Sequence, residues 1–442
     1  MNVQAPGSAM VPAEKVTLNQ GQQAAADAVF QFLLDDRKEM SISGPGGVGK
    51  TFMMQYIIDT VIPRFHETCK LLGYESNLQE LAVTATTNQA AEVLSLATGQ
   101  DASTIHNFLR LKVKNDYKTG KTTLTKRRDY GTIMNTIVFI DEASMIDSQL
   151  YYLIHSTLLN CKIIYLGDHC QLAPVLERIS PVYTNNIEMV ELTEPMRNAG
   201  QPALIALCNQ LRETVETQEF KPIQIVPGVI DYATDEEMEQ LINSEFAEQT
   251  DDARILAYTN RRVNDYNGHI RWLRQLPEEY VVGERLINNS SITLDRQMIR
   301  TDQQVTILWL GSKEIIELED NGQLEVINAE LALGGLTTAR VKLPVDREHF
   351  TQLIKHYASK KLWATHFTLK EGFPDLRPAD SSTTHKAQGS SRDTVFIDLS
   401  DISTCHNPST ASRMLYVAVS RARKRIVLYG ELAQKYGGLV HP

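Results

Sequence analysis

Gly44-Pro-Gly-Gly-Val-Gly49-Lys50-Thr51 is a glycine-rich loop that ends in an ammonium and a hydroxyl. The pattern G-x-x-x-x-G-K-[ST] lets backbone N–H groups converge on phosphate oxygens. Gly44, Gly46, Gly47, Val48 and Gly49 would cradle the phosphates of a nucleoside triphosphate, and Lys50 would neutralise the β- and γ-phosphates. Thr51 would ligate Mg²⁺. A second motif supplies the missing acids: Val138-Phe139-Ile140 runs into Asp141 and Glu142. Asp141 is expected to hold the metal and Glu142 to activate the attacking water. These two motifs make a nucleotide hydrolase and leave open a kinase, a transporter ATPase and a motor.

Such a site needs strands that end at the loop and at the acids. Short β-branched runs stand at 40–43, 81–84, 137–140, 163–166, 255–258, 395–399 and 426–429. They alternate with helical patterns, including a helix expected from Lys50 to about residue 62. Strands alternating with helices predict an open α/β parallel sheet. Residues 110–128, RLKVKNDYKTGKTTLTKRR, hold a cluster of basic residues around Lys118-Thr119-Gly120 and predict a β-hairpin with a glycine turn. The stretch 276–378 carries several short strands with turn signals and predicts a small β-rich insert.

The 442 residues suit two to four domains, and 42% hydrophobic residues suffice for sizeable cores. No apolar run reaches membrane-spanning length, and 1–16 lack the blocks of a signal peptide. Five cysteines without a C-x-x-C spacing fit reduced thiols in a cytoplasmic protein and no zinc site. A net charge of −10 argues against coating nucleic acid by charge alone and leaves room for a local basic groove.

Six further stretches occur in order. They are Asn19-Gln20-Gly21-Gln22, Ala85-Thr86-Thr87-Asn88-Gln89, Ser103-Thr104-Ile105-His106, Gly167-Asp168-His169-Cys170-Gln171, Thr383-Thr384-His385-Lys386-Ala387-Gln388-Gly389 and Leu415-Tyr416-Val417-Ala418-Val419-Ser420-Arg421. With Asp141–Met145 they make the chain resemble a superfamily 1B, RecD-like DNA helicase from about residue 17 onward. Thr86 replaces the usual proline and Ser420 the usual threonine; Thr87 and Arg421 keep the expected groups.

The resemblance implies an α/β fold of two RecA-like P-loop domains, with ATP between them and single-stranded DNA across both. The first would span 17–198, with a hairpin insert at 106–131. The second would comprise 199–275 and 379–442, with an SH3-like insert at 276–378. Gln22 would read adenine, although Asn19 and Gln22 also have the spacing of a capping box. Gln171 would sense the γ-phosphate or water, and Gly389 would line the nucleotide. Arg197 and Arg421 would stabilise charge on the transferred phosphoryl group. Thr87, Asn88, His106, Thr383, His385 and Lys386 would hold the strand through phosphate and sugar. Tyr117, near the hairpin tip, would stack on a base pair at the fork.

The expected activity is 5′ to 3′ translocation with strand separation in replication or recombination of a phage-like kind. The substrates would be single-stranded and forked duplex DNA. A single-strand-binding protein or replisome component would be a protein partner, with no membrane involved. The alternatives are a translocase that displaces bound proteins without unwinding and a DNA-binding regulatory subunit with a residual nucleotide site. A nuclease is disfavoured because no further acidic cluster has a metal-ligand pattern.

Overall fold

The computed structural model describes residues 17–126, 131–174, 177–194, 201–294 and 297–441. Helix α1 (Gln20–Leu34) leads into β1 (Glu39–Ser43), and the glycine-rich loop leads into α2 (Lys50–Tyr56). Next come β2 (Glu80–Ala85), α3 (Asn88–Thr98) and β3 (Ser103–Thr104). The hairpin β4 (Leu111–Asn115) and β5 (Thr122–Lys126) precedes β6 (Thr136–Asp141), β7 (Lys162–Gly167) and β8 (Met189–Glu191). Strands β8-β1-β7-β6-β2-β3 form one parallel sheet in that order.

Both faces of this sheet are covered, which is why β6 reads as an unbroken apolar run. Ile137 and Phe139 of β6 pack with Val29 and Phe32 of α1 and Met53 of α2. Val138 and Ile140 point the other way and pack with Leu150 and Ile154. The period of two along a strand divides one sequence run between two cores.

After α4 (Pro202–Thr217) the chain lays down β9 (Ile230–Ala233), β10 (Ala253–Ala257) and α5 (Asn260–Leu273). It then leaves this sheet to build β11 (Arg285–Asn288), β12 (Gln304–Glu317), β13 (Gln323–Ala332) and β14 (Thr338–Pro344). Helices α6 (Arg347–Ser359) and α7 (Trp363–Gly372) follow, and then β15 (Leu376–Pro378). It returns with β16 (Ser381–Thr383), β17 (Arg392–Asp398), α8 (Pro408–Ser420) and β18 (Ala422–Tyr429). Strands β9-β18-β17-β10-β16 form a second parallel sheet, and β14-β13-β12-β11-β15 an antiparallel one. The fold is two RecA-like parallel sheets, with a hairpin inserted in the first and an antiparallel sheet in the second.

Two local expectations change. The helix that starts at Lys50 does not stop before Pro63. A π-helical turn, Ile57–Val61, joins α2 to a further helix, Ile62–Leu71. Pro63 sits in that helix's first turn, where the missing N–H and the ring are tolerated. The insert is also less purely β than its strand runs suggest. Phe350, Leu353 and Tyr357 of α6, spaced three and four apart, pack with Leu324 and Val326 of β13.

Candidate functional site

The phosphate loop follows β1 at its C-terminal end, where the order of the parallel strands opens a crevice. A Cβ on Gly44 would stand 2.5 Å from the Leu192 carbonyl oxygen, so only glycine fits there. Gly47 and Gly49 take φ of 88° and 85°, and Gly49 caps α2 in the left-handed region. The loop N–H groups and the positive end of the helix that starts at Lys50 therefore share one place. Lys50 lies over the loop and donates to the carbonyls of Gly44 (2.6 Å) and Pro45 (3.0 Å). Thr51 follows it in the first turn of α2.

Gln22 is buried beside this loop. The capping box forms: Gln22 N–H donates to Asn19 Oδ1 (2.8 Å), and Asn19 N–H donates to Gln22 Oε1 (3.1 Å). The remaining end of the amide, Nε2, faces the Val48 carbonyl at 3.5 Å. The capping geometry thus orients the Gln22 amide against the phosphate loop rather than competing with that placement.

Two strands away in the sheet, β6 delivers the acids. Glu142 N–H donates to Asp141 Oδ1 (2.8 Å). Glu142 itself takes φ of 54°, a left-handed conformation that is costly for a residue with a side chain. Burial pushes the Glu142 carboxyl up to about 7, and the neighbouring Asp141 charge adds to this; Arg421 and Lys50 pull the other way. Burial also raises Asp141, against the Glu142 N–H and the Lys50 charge. A carboxylate poised near neutrality fits a general base. The donor set formed by the Thr51 hydroxyl and the Asp141 carboxylate is hard oxygen, which fits Mg²⁺.

The opposite wall comes from the second parallel sheet. Gly389 has φ of 78°, and a Cβ there would stand 3.9 Å from Glu142 Oε1. Arg421 follows α8; it is buried and donates from Nη2 to Ser420 Oγ (3.0 Å). Gln171, after β7, accepts at Oε1 from Gln388 Nε2 (3.1 Å). Lys50, Asp141, Glu142, Gln171, Gly389 and Arg421 thus converge from two sheets, whereas Arg197 lies outside the described residues.

Reasoning from the sequence missed the group that ties the two walls together. Asp168 is fully buried and accepts from Arg212 of α4 and Tyr416 of α8, both at 2.5 Å. Arg413 of α8 donates to the Gln171 carbonyl (2.6 Å) and to that of His169. Asp168 and Tyr416 stand inside motifs already singled out, so a signal existed for them. Arg212 is a mid-helix arginine with no local signature.

The residues expected to hold a strand separate into groups. Thr87 is the N-cap of α3 and accepts from Ala90 N–H (3.2 Å), a structural role in itself. Asn88, Thr383 and Lys386 line one cavity of about 310 Å³, shared by α3, the second parallel sheet and the antiparallel insert. His385 stands next to them in sequence with its ring centroid 6.5 Å from that of Tyr258, and burial lowers its affinity for a proton. His106 lies in a short helix, Ile105–Phe108, and burial lowers it too, with Asp147 opposing. Neither histidine lines the cavity.

The hairpin does not stand free. Tyr117 packs edge-on against Phe367 of α7, with ring centroids 5.4 Å apart, and remains 58% exposed. Asn115 donates to Glu371, and Gly120 sits against the Trp363 ring so closely that a Cβ would collide with it. The tip is therefore braced by the insert of the other half of the molecule.

Among known proteins, residues 17–224 match a family model described as an AAA domain, and 378–429 one described as a UvrD-like helicase C-terminal domain. The chain is 25% identical to the ATP-dependent DNA helicase Dda of Enterobacteria phage T4, over 92% of this chain and 98% of that one. It is 22% identical to the ATP-dependent DNA helicase Pif1 of Bdellovibrio bacteriovorus, over 94% and 88%. A crystal structure of Pif1 helicase from Bacteroides with ADP-AlF3 and ssDNA aligns over 96% of this chain and 95% of that one, at 15% identity and a TM-score of 0.49. Among the described residues no helix is long and apolar enough to cross a membrane. The ordered motifs, the paired parallel sheets with a crevice between them and a relative matched along nearly its whole length mark the chain as a helicase similar to the ATP-dependent DNA helicases Dda and Pif1.

Proposed function

We propose that the chain is an ATP-driven helicase that moves 5′ to 3′ along single-stranded DNA and separates the strands of a forked duplex. The observation that carries this reading is the nucleotide crevice. The phosphate loop and both acids come from one sheet, and Gly389 and Arg421 come from the other. Chemistry in such a crevice is coupled to the approach of its walls. The same two sheets flank the cavity that holds Asn88, Thr383 and Lys386, so their movement also changes the grip on a strand. The sheets support domains at 17–198, at 199–275 with 379–442, and at 276–378.

In the proposed reaction the loop N–H groups and Lys50 hold the phosphates of ATP. Gln22 presents an amide beside the loop for the base. Thr51 and Asp141 would hold Mg²⁺, which would supply charge neutralisation at the phosphates. Glu142 takes the proton of the attacking water, and Arg421 reaches the developing negative charge from the second sheet. Arg197 would join it. Gln171 lies between them, and its bond to Gln388 would transmit the state of the crevice to the strand-holding segment. The family resemblance extends the proposal to a single-strand-binding protein or replisome component as partner and to action in the cytoplasm.

The direction rests on the RecD-like motifs and on the small size of the first insert, a single hairpin. Two duplexes test it, one with only a 5′ single-stranded tail and one with only a 3′ tail. ATP-dependent separation of the 5′-tailed duplex is expected. Separation of the 3′-tailed duplex alone would reverse the polarity, and failure with both, despite DNA-stimulated ATPase, would favour a translocase that does not unwind.

A second prediction concerns the braced hairpin. Deleting 117–120 removes the Tyr117–Phe367 and Gly120–Trp363 contacts together. The number of base pairs separated per ATP hydrolysed is expected to fall about tenfold, an effect of about 1.4 kcal/mol on the unwinding step. DNA-stimulated ATPase should change far less, because the nucleotide crevice is built elsewhere. Equal losses in both assays would make the hairpin a fold element and not the strand separator.

A further inference from the structure

The cavity shared by α3, the second parallel sheet and the insert contains a buried arginine with a nitrogen left without a hydrogen bond. Arg254 of β10 is only 8% exposed, and its Nε is buried with no hydrogen-bond partner. Among the described residues its guanidinium makes no ion pair. The acids near it face other cations: Asp380 accepts from both Nη atoms of Arg274 (2.9 and 2.7 Å), Asp251 pairs with Arg285 (2.8 Å), and Asp302 stands 3.9 Å from Lys386 Nζ. Burial, with Arg392 beside it, pushes Arg254 down to about 10, which leaves it charged at neutral pH. A buried cation with no direct partner carries a desolvation cost, which the charges of Asp380, Asp251 and Asp302 offset only in part.

Its surroundings show what would offset the rest. Among the described residues the cavity lining has five basic side chains, Arg254, Arg300, Arg377, Lys386 and Arg392, against two acids, Glu92 and Asp302. Arg300 and Arg377 are paired with Glu92 (2.9 Å) and Asp375 (2.8 Å), whereas Arg392 has a buried Nε with no partner. Lys386 Nζ stands 3.9 Å from Asp302 Oδ1, a loose contact. Asparagines and glutamines fill much of the rest, and among the described residues no aromatic ring lines the cavity. Such a lining suits an anion with oxygen acceptors and offers no platform for stacking a base.

We infer that Arg254, with Arg392 and Lys386, forms a binding site for a backbone phosphate of the single strand, the Arg254 fork being its buried floor. This assignment rests on the proposed function. It adds to the strand path two arginines that no motif marks. Asp302, from the insert, faces the same cations and opposes the incoming phosphate. Burial raises the Asp302 carboxyl, and Lys386 and Arg254 hold it down.

Binding of a fluorescent oligothymidylate to the full chain, measured over a range of salt concentrations, tests the site. Arg254→Met keeps the aliphatic stem and removes the charge. Affinity is expected to fall about tenfold, and the slope of log K against log[salt] to drop by about 0.7, one phosphate's worth on a single strand. The melting temperature should hold or rise, because an unpaired buried charge has gone; a structural arginine would give the opposite sign. Asp302→Asn is the companion variant. It sits on a surface loop in a left-handed conformation that asparagine tolerates, so folding is spared. Its affinity should rise severalfold. Unchanged affinity and salt slope in Arg254→Met would overturn the site, as would an Asp302→Asn protein that binds as wild type. If the wild-type chain itself fails to bind oligothymidylate, the helicase reading fails first, and the two failures are distinct.

Discussion

Lys50→Ala is expected to lose ATP turnover by at least about a thousandfold while the purified protein stays folded and still binds single-stranded DNA. The ammonium donates to carbonyls of the loop itself, Gly44 (2.6 Å) and Pro45 (3.0 Å), and among the described residues it makes no ion pair. Cutting it back leaves those carbonyls in a part-buried, water-accessible loop, so the cost to stability is small. The cost to chemistry is large, because Lys50 is the one cation inside the phosphate loop and negative charge moves on the phosphates during transfer. Its charge also pulls down both Asp141 and Glu142, so its loss favours their protonated, inactive forms. Steady-state hydrolysis with saturating oligothymidylate, beside a thermal melt and a DNA-binding titration, measures all three consequences. Stimulated turnover close to wild type would remove Lys50 from the phosphate site.

Glu142→Gln is the second large effect, and it separates binding from chemistry. The amide keeps the shape and cannot take a proton. Nucleotide binding should persist, and hydrolysis should fall by about three to five orders of magnitude. The pH profile adds a signature that a structural role would not produce. Glu142 sits at about 7, so the wild-type kcat/KM for ATP should fall tenfold per pH unit below 7 and level off above it. That acid limb should vanish from the residual activity of the glutamine variant.

Stability should move the opposite way. Folded Glu142 holds its proton up to about 7, whereas the unfolded group releases it near 4.5. Wild-type stability contributed by this group therefore declines as pH rises from about 4.5 to 7 and stays low above. The variant should gain melting temperature relative to wild type across that window. Loss of nucleotide binding in Glu142→Gln, with no separate defect in hydrolysis, would move the residue from the water to the fold.

What the sequence alone determined is the part written in near neighbours. The phosphate loop needs eight consecutive residues, and its strand and helix follow at once, so it was legible in full. The parallel strands were legible because sheets covered on both faces demand continuous apolar runs, as in β6. The basic hairpin was legible from its turn chemistry. The helix extension past Pro63 was not, because a π turn inserts one extra residue per turn and breaks the spacing that a pattern follows. Helices α6 and α7 were overlooked among strong strand runs on either side.

Only the tertiary structure decided what those local pieces meet. Gln22 was ambiguous between a capping residue and a nucleotide contact, and the fold forms the capping box and sets the capped amide against the phosphate loop. Tyr117 was legible as a tip residue, but its brace, Phe367, lies 250 residues away. Asp168 draws Arg212 and Tyr416 from different helices, and nothing in the spacing of those residues announces the meeting. The poise of Glu142 and the buried guanidinium of Arg254 are the clearest cases. Both depend on desolvation and on charges delivered by other elements, and these quantities are set by what packs over a residue, not by what stands beside it in the chain.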